Sequence, residues 1–161
     1  HQIRDIATYK NNYFIQSYGA GLYHFREENS TFEFIKNYLD INGSSLFIDE
    51  HSSILYSLDT SIKSTVNITQ HKIKENSLEK IFTKTLFIDL KEPNSVKQSK
   101  FYDNRIYITN KKSIYIFDQD INLLHQINGN KIVDFTVDDK HIIYIDKHKI
   151  KRLSLTKYKS N

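Results

Sequence analysis

Near its end the chain reads Val133-Asp134-Phe135-Thr136-Val137, apolar and polar in alternation, the two-residue period of a strand with one buried face. A polar turn, Asp138-Asp139-Lys140, leads into His141-Ile142-Ile143-Tyr144-Ile145, a short continuous apolar run of the kind a strand buried on both faces shows. Asp146-Lys147-His148 turns again, and Lys149-Ile150-Lys151-Arg152-Leu153-Ser154-Leu155 predicts a third strand. The same phrase stands earlier. Residues 96–102 predict a first strand, Arg105-Ile106-Tyr107-Ile108-Thr109 a buried second, Ser113-Ile114-Tyr115-Ile116-Phe117 a third and Asn122-Leu123-Leu124-His125-Gln126-Ile127 a fourth, with turns at Asp103-Asn104, Asn110-Lys111-Lys112 and Asp118-Gln119-Asp120.

Ile106 and Ile142 occupy matching places 36 residues apart. The N-terminus carries another copy, with strands at Ile3–Ala7, Tyr13–Ser17, Leu22–Phe25 and Thr31–Ile35. A further copy runs through Ser45–Ile48 and Ile54–Leu58, its later strands somewhere in Thr65 to Asp89. From Ile54 to Ile106 is 52 residues, which predicts an insertion or an extra strand there. One helical turn or two is expected at Ser77-Leu78-Glu79-Lys80-Ile81-Phe82, where the serine suits an N-cap.

Composition agrees with strands. Isoleucine outnumbers leucine 23 to 12, tyrosine and phenylalanine add 11 and 10, and alanine occurs only at positions 7 and 20. Branched and aromatic side chains pack on a pleated sheet and lose rotamer freedom in a helix. At 161 residues the chain suits one domain or a piece of a larger one. It has no methionine, which points to a piece of something longer, and no cysteine, which excludes disulfides, thiol nucleophiles and cysteine-held metals. No apolar run is long enough for a membrane-spanning helix.

Copies of four short strands at a period near 40 residues are the signature of propeller blades, whose sheets cover one another's apolar faces around an axis. The expected fold is therefore all-β: a β-propeller over residues 1–161, either about four blades of antiparallel four-stranded meanders or part of a larger ring. The copies fall roughly at 3–36, 44–92, 96–128 and 132–156. Between these blades Ile106, Ile108, Ile142 and Ile145 are expected to be buried.

One blade carries a more particular likeness. Tyr13-Phe14-Ile15-Gln16-Ser17-Tyr18-Gly19-Ala20-Gly21-Leu22-Tyr23-His24-Phe25, preceded by Ile3-Arg4-Asp5-Ile6-Ala7, resembles a blade of the propellers in extracytoplasmic sensors of hybrid two-component systems. Residues 113–124 are similar to the third-to-fourth-strand phrase of quinoprotein-like and other generic propellers. The chain departs from both in having no tryptophan.

Candidate chemistry is sparse. The seven histidines, His1, His24, His51, His71, His125, His141 and His148, show no metal-binding spacing, so no metal site is expected. Asp49-Glu50, Asp138-Asp139 and Asp118-x-Asp120-x-Asn122 fall where strands turn, and aspartate and asparagine favour turns by bonding their own backbone. The last departs from a calcium loop in having Leu123 at the glycine position. Asp5 and Asp134 start first strands, where propeller glycosidases place carboxylates. Four glycines form no phosphate loop and no nucleophile elbow, so neither catalysis nor a cofactor is expected.

Charge is uneven. The net +4 conceals a C-terminal stretch in which Lys140, Lys147, Lys149, Lys151, Arg152, Lys157 and Lys159 face only Asp146. These seven form the candidate basic contact surface, although alternate lysines also mark a protected edge strand. The expected role is a non-catalytic, WD40-like scaffold for a protein or peptide partner. Alternatives are an extracytoplasmic ligand-sensing propeller of a signalling receptor and a module that associates with nucleic acid through the basic stretch. Further blades or another chain are expected to complete the ring.

Overall fold

The computed structural model describes residues 2–62, 64–88, 99–110 and 112–155. Among these residues the regular secondary structure is almost wholly strand, in fifteen segments. Two compact units divide the chain, His1–Lys97 and Gln98–Asn161.

The first unit holds two antiparallel meanders. Sheet A joins β1 (Ile3–Tyr9), β2 (Asn12–Ser17), β3 (Gly21–Glu28) and β4 (Thr31–Tyr38) in chain order. Sheet B does the same with β5 (Ser45–Asp49), β6 (Ile54–Asp59), β7 (Val66–Ile73) and β8 (Leu78–Leu86). Their facing surfaces make one core from Phe14, Leu22, Tyr38, Leu46, Leu55 and Ile73. The A–B joint is also polar: Asp5 Oδ2 accepts the Leu46 N–H at 2.8 Å, and Tyr38 Oη accepts the Leu78 N–H at 2.7 Å.

The second unit repeats the plan. Sheet C joins β9 (Ser99–Tyr102), β10 (Arg105–Thr109), β11 (Ser113–Phe117) and β12 (Leu123–Asn128), and sheet D has three strands, β13 (Ile132–Val137), β14 (His141–Asp146) and β15 (Lys149–Ser154). Between them lie Tyr107, Ile114, Ile116, Phe135, Ile142 and Tyr144.

The turns follow their sequences. Asn29-Ser30 and Asp103-Asn104 each place two successive residues at positive φ, the primed two-residue turn whose twist matches the flanking strands. Asp118 Oδ1 accepts the Asn122 N–H at 2.7 Å, so the calcium-like run closes the β11–β12 turn. Gly21, at φ +83°, lies so close to β4 that a Cβ there would stand 2.3 Å from the Tyr38 carbonyl oxygen.

Three expectations need correction or completion. Residues 78–82 form the start of β8, not a helix, because their backbone pairs with β7 from Leu78↔Ile73 onward. Ile106, Ile108 and Ile142 are fully buried, whereas Ile145 is 38% exposed. It lies on the side of β14 that faces away from sheet C, together with its partners Asp134 and Ile150. The long interval between Ile54 and Ile106 is partly taken up by long strands, eight residues in β7 and nine in β8 against five in β11. The predicted first-strand residues 96–98 fall outside the described residues.

Candidate functional site

The basic stretch folds around the β14–β15 hairpin, and its charges divide between the two ends. Lys147 occupies the hairpin turn at φ +58°, and its N–H bonds the Lys131 carbonyl at 2.8 Å. Lys149 starts β15 on the exposed side of that turn. Two residues on, Lys151 shares its face and is half-buried. Its Nζ lies 2.6 Å from Asp146 Oδ2 and 5.8 Å from the centre of the Tyr144 ring. Asp146 is itself buried, and its Oδ1 accepts the backbone N–H groups of Asn130 and Lys131. The Lys151 ammonium and these donors hold its carboxyl down at about 2, against the opposing effect of burial. Asp146 is thus an internal brace, and Lys151 is committed to it.

Lys140 and Arg152 stand toward the other end of β14. Lys140 sits in the β13–β14 turn, where its N–H and that of His141 bond Asp138 Oδ1. The Arg152 guanidinium contacts His141 Nδ1 at 3.0 Å. Lys157 and Lys159 lie outside the described residues. The compact cationic group is therefore Lys131, Lys147 and Lys149, beside His148, around clefts of about 330 and 460 Å³. Among the described residues Lys131, Lys147 and Lys149 have no carboxylate partner. Lys131 was not expected here. It enters through backbone pairing with a residue 16 positions away, for which the sequence carries no local mark.

A second cleft, about 390 Å³, opens at the A–B rim among Tyr9, Lys10, Asn12, Arg26, Lys74 and Glu75. Its groups are occupied in joining the sheets. Arg26 donates to the Glu75 carbonyl and to Asn76 Oδ1, and the Tyr9 hydroxyl meets Ser53 Oγ at 2.6 Å. Behind it, His24 is fully buried, stacked on Phe14 with ring centres 4.6 Å apart, and its Nε2 meets Asn12 Oδ1 at 2.8 Å. Burial, aided by the Arg26 charge, lowers its pKa to about 4. A ring held neutral and sealed behind Asn12 suits packing rather than proton transfer.

The first-strand carboxylates are bound into the backbone. Asp5 accepts the Ile6 and Leu46 N–H groups, one on each oxygen, and Asp134 accepts the Phe135 N–H at 2.8 Å.

No family model and no curated protein matches this chain. Solved structures do match. Over 99% of this chain and about half of theirs, the WD40 repeats of RRP9 and the U3-55K structure superpose with TM-scores of 0.65 at 12% identity. A putative 6-phosphogluconolactonase from Bacteroides fragilis is similar over 92% of this chain and 47% of its own, with TM-score 0.60 and 18% identity. The computationally designed Ika4 protein matches over 95% of this chain and 91% of its own, at 0.60 and 14%. The chain thus spans about half the length of these natural proteins. At such identities the likeness speaks to fold alone, and it agrees with the four meanders: this is an all-β repeat fold of the WD40-like propeller type.

Proposed function

We propose that the chain is a non-catalytic propeller scaffold that binds a protein or peptide partner, with the basic surface of sheet D as the contact. The observation that carries the reading is the cluster of Lys131, Lys147 and Lys149 at the β14–β15 turn, cations with no carboxylate partner among the described residues, beside the Asp146–Lys151 pair that fixes that turn. A rigid sheet presenting charged turns suits recognition. The partner that fits is an acidic segment. Lys140, in the β13–β14 turn, and Arg152, on the other face of β15, complete the proposed basic set, to which Lys157 and Lys159 belong by sequence. The use of Asp5 and Asp134 as backbone acceptors supports a non-catalytic role. Within the segment that carries the sensor likeness, Gly21 answers a crowding requirement against Tyr38, so that part of the pattern supports hairpin geometry more than a sensing role.

The test is fluorescence anisotropy with glutamate-rich peptides, their charge-neutral glutamine counterparts and a single-stranded polynucleotide. Binding of the acidic peptides, weakened at least tenfold by the double variant Lys147→Glu/Lys149→Glu, supports the reading. Binding of the polynucleotide alone, with affinity falling steeply with salt, replaces it with the nucleic-acid alternative, and no binding to either discards the surface.

A further inference from the structure

The second strands of the four sheets differ in one respect. Leu55, Tyr56, Ser57 and Leu58 are all buried in β6, and Ile106, Tyr107 and Ile108 are all buried in β10, so both faces of these strands are covered. In β2 and β14 burial alternates, and one face is open. These are the second strands of the first and last sheets in the chain.

Sheets A and D can be matched residue by residue through their registers, since each has a bulge in its first strand before the aspartate, between Ile3 and Asp5 and between Ile132 and Asp134. The pairs Asp5↔Gln16 and Ala7↔Phe14 then correspond to Asp134↔Ile145 and Thr136↔Ile143. In the third strands, Leu22 corresponds to Ile150 and His24 to Arg152. On sheet A this face is covered by sheet B, which buries Phe14, Gln16, Leu22 and His24. On sheet D the matching face is bare: Ile150 is 76% exposed. Asp134 also repeats half of what Asp5 does. It accepts the next residue's N–H, while the oxygen that on Asp5 takes Leu46 N–H from the following sheet has no donor among the described residues.

The opposite face of sheet A supplies the complement. It carries Ile6, Tyr13, Ile15, Phe25, Phe32 and Phe34, with Tyr13 edge-on to Phe32 at 4.9 Å and Phe25 to Phe34 at 5.6 Å. By the same register, Ile6, Tyr13 and Ile15 match Phe135, Ile142 and Tyr144, which sheet D buries against sheet C. On sheet A they remain uncovered, Phe34 at 55% exposure. The open face of A carries Glu27, which accepts the Tyr13 hydroxyl at 2.6 Å, and the D face brings Arg152, opposite in charge.

We propose that the bare face of sheet D receives sheet A of a second copy of this chain, and reciprocally, so that two chains complete one ring. The second copy is favoured because one chain presents both halves of the joint and spans half of the WD40 chains it superposes on. The inference rests on the fold and not on the peptide reading, so either can fail alone.

Sedimentation of the full chain at micromolar concentration tests it. The expected species is a dimer of twice the 19.1 kDa chain mass. Ile150→Lys and Phe34→Glu, on the two faces, are each expected to give folded monomers by circular dichroism. Mixed in equal amounts they are expected to regain the dimer, because one joint keeps two native faces and the other opposes lysine to glutamate. If Ile150→Lys loses its β signal, Thr136→Arg on the same face takes its place. A wild-type monomer at all concentrations overturns the proposal, in favour of a ring completed by a different chain or by closure of one chain on itself. A dimer indifferent to both substitutions, or failure of the mixture to reassociate, overturns it as well.

Discussion

Gly21 shows how little freedom one position has in this fold. Its positive φ already disfavours any side chain, and a Cβ would meet the Tyr38 carbonyl, which belongs to backbone and cannot swing aside. Gly19 shares the positive φ but has no atom within 4 Å of the added carbon. Gly21→Ala is therefore expected to fall at the upper end of the usual 0.5–3 kcal/mol for destabilising substitutions, about 3 kcal/mol, and Gly19→Ala at about 1 kcal/mol. Urea denaturation of the two variants measures the difference. Buried histidines set a second residue-scale expectation. Burial lowers the pKa of His24 and of His71 to about 4, helped by the Arg26 and Lys80 charges respectively. A histidine with a folded-state pKa below its unfolded value favours the fold while neutral. That contribution is whole above about pH 6.5 and is lost as pH falls toward 4, each unit of separation being worth about 1.4 kcal/mol. Asp146 behaves in the other sense: its pKa is lowered, so its contribution persists above the unfolded carboxylate value of 3.8 and disappears only as pH falls toward 2. Stability measured from pH 7 to 2 should decline in two successive windows, and His24→Gln should reduce the upper one to the share of His71. A single loss confined below pH 4 would show that the histidines titrate normally.

At the scale of elements, the strand β14 carries its own control. Ile142 is fully buried against sheet C, while Ile145, on the other face, is partly open. Ile142→Ala is expected to cost about 2–5 kcal/mol, and Ile145→Ala below about 1 kcal/mol in the single chain. Equal costs would mean that the face assignment is wrong. Most strands were legible because short apolar runs end at Asp, Asn or Lys turns that close themselves with side-chain bonds, as Asp138 does for Lys140 and His141. Sheet B was harder for a physical reason. Its β7 buries Gln70 and His71 among the apolar residues, which breaks the alternation that a sequence pattern depends on. The Ser77-Leu78-Glu79 run has good helix-capping chemistry, yet Ser77 instead uses its carbonyl to close the β7–β8 turn on Lys74. Long-range pairing prevailed over local propensity. Of the proposed basic surface, the lysines of residues 147–151 stand in one run of sequence, but Lys131 joins them only through the fold. Nor could the sequence show that Lys151 is spent on Asp146.

For the molecule as a whole, repetition makes stability a sum over sheets and the faces they share, and a sheet with one bare face contributes less than one covered on both sides. Backbone amides should therefore exchange most slowly in β6 and β10, where both faces are buried, and fastest in β4 and β15, the outer strands of the two sheets with bare faces. The strands β2 and β14 are the informative ones. Each is central in its sheet and fully hydrogen-bonded on both edges, yet has an open apolar face. In an isolated chain their protection should fall between those extremes. If a second copy covers those faces, hydrogen exchange followed at rising protein concentration should slow in β2 and β14 together, while β6 and β10 stay as they were. Slowing in β14 without β2 would mean that something other than sheet A of a second copy lies on sheet D.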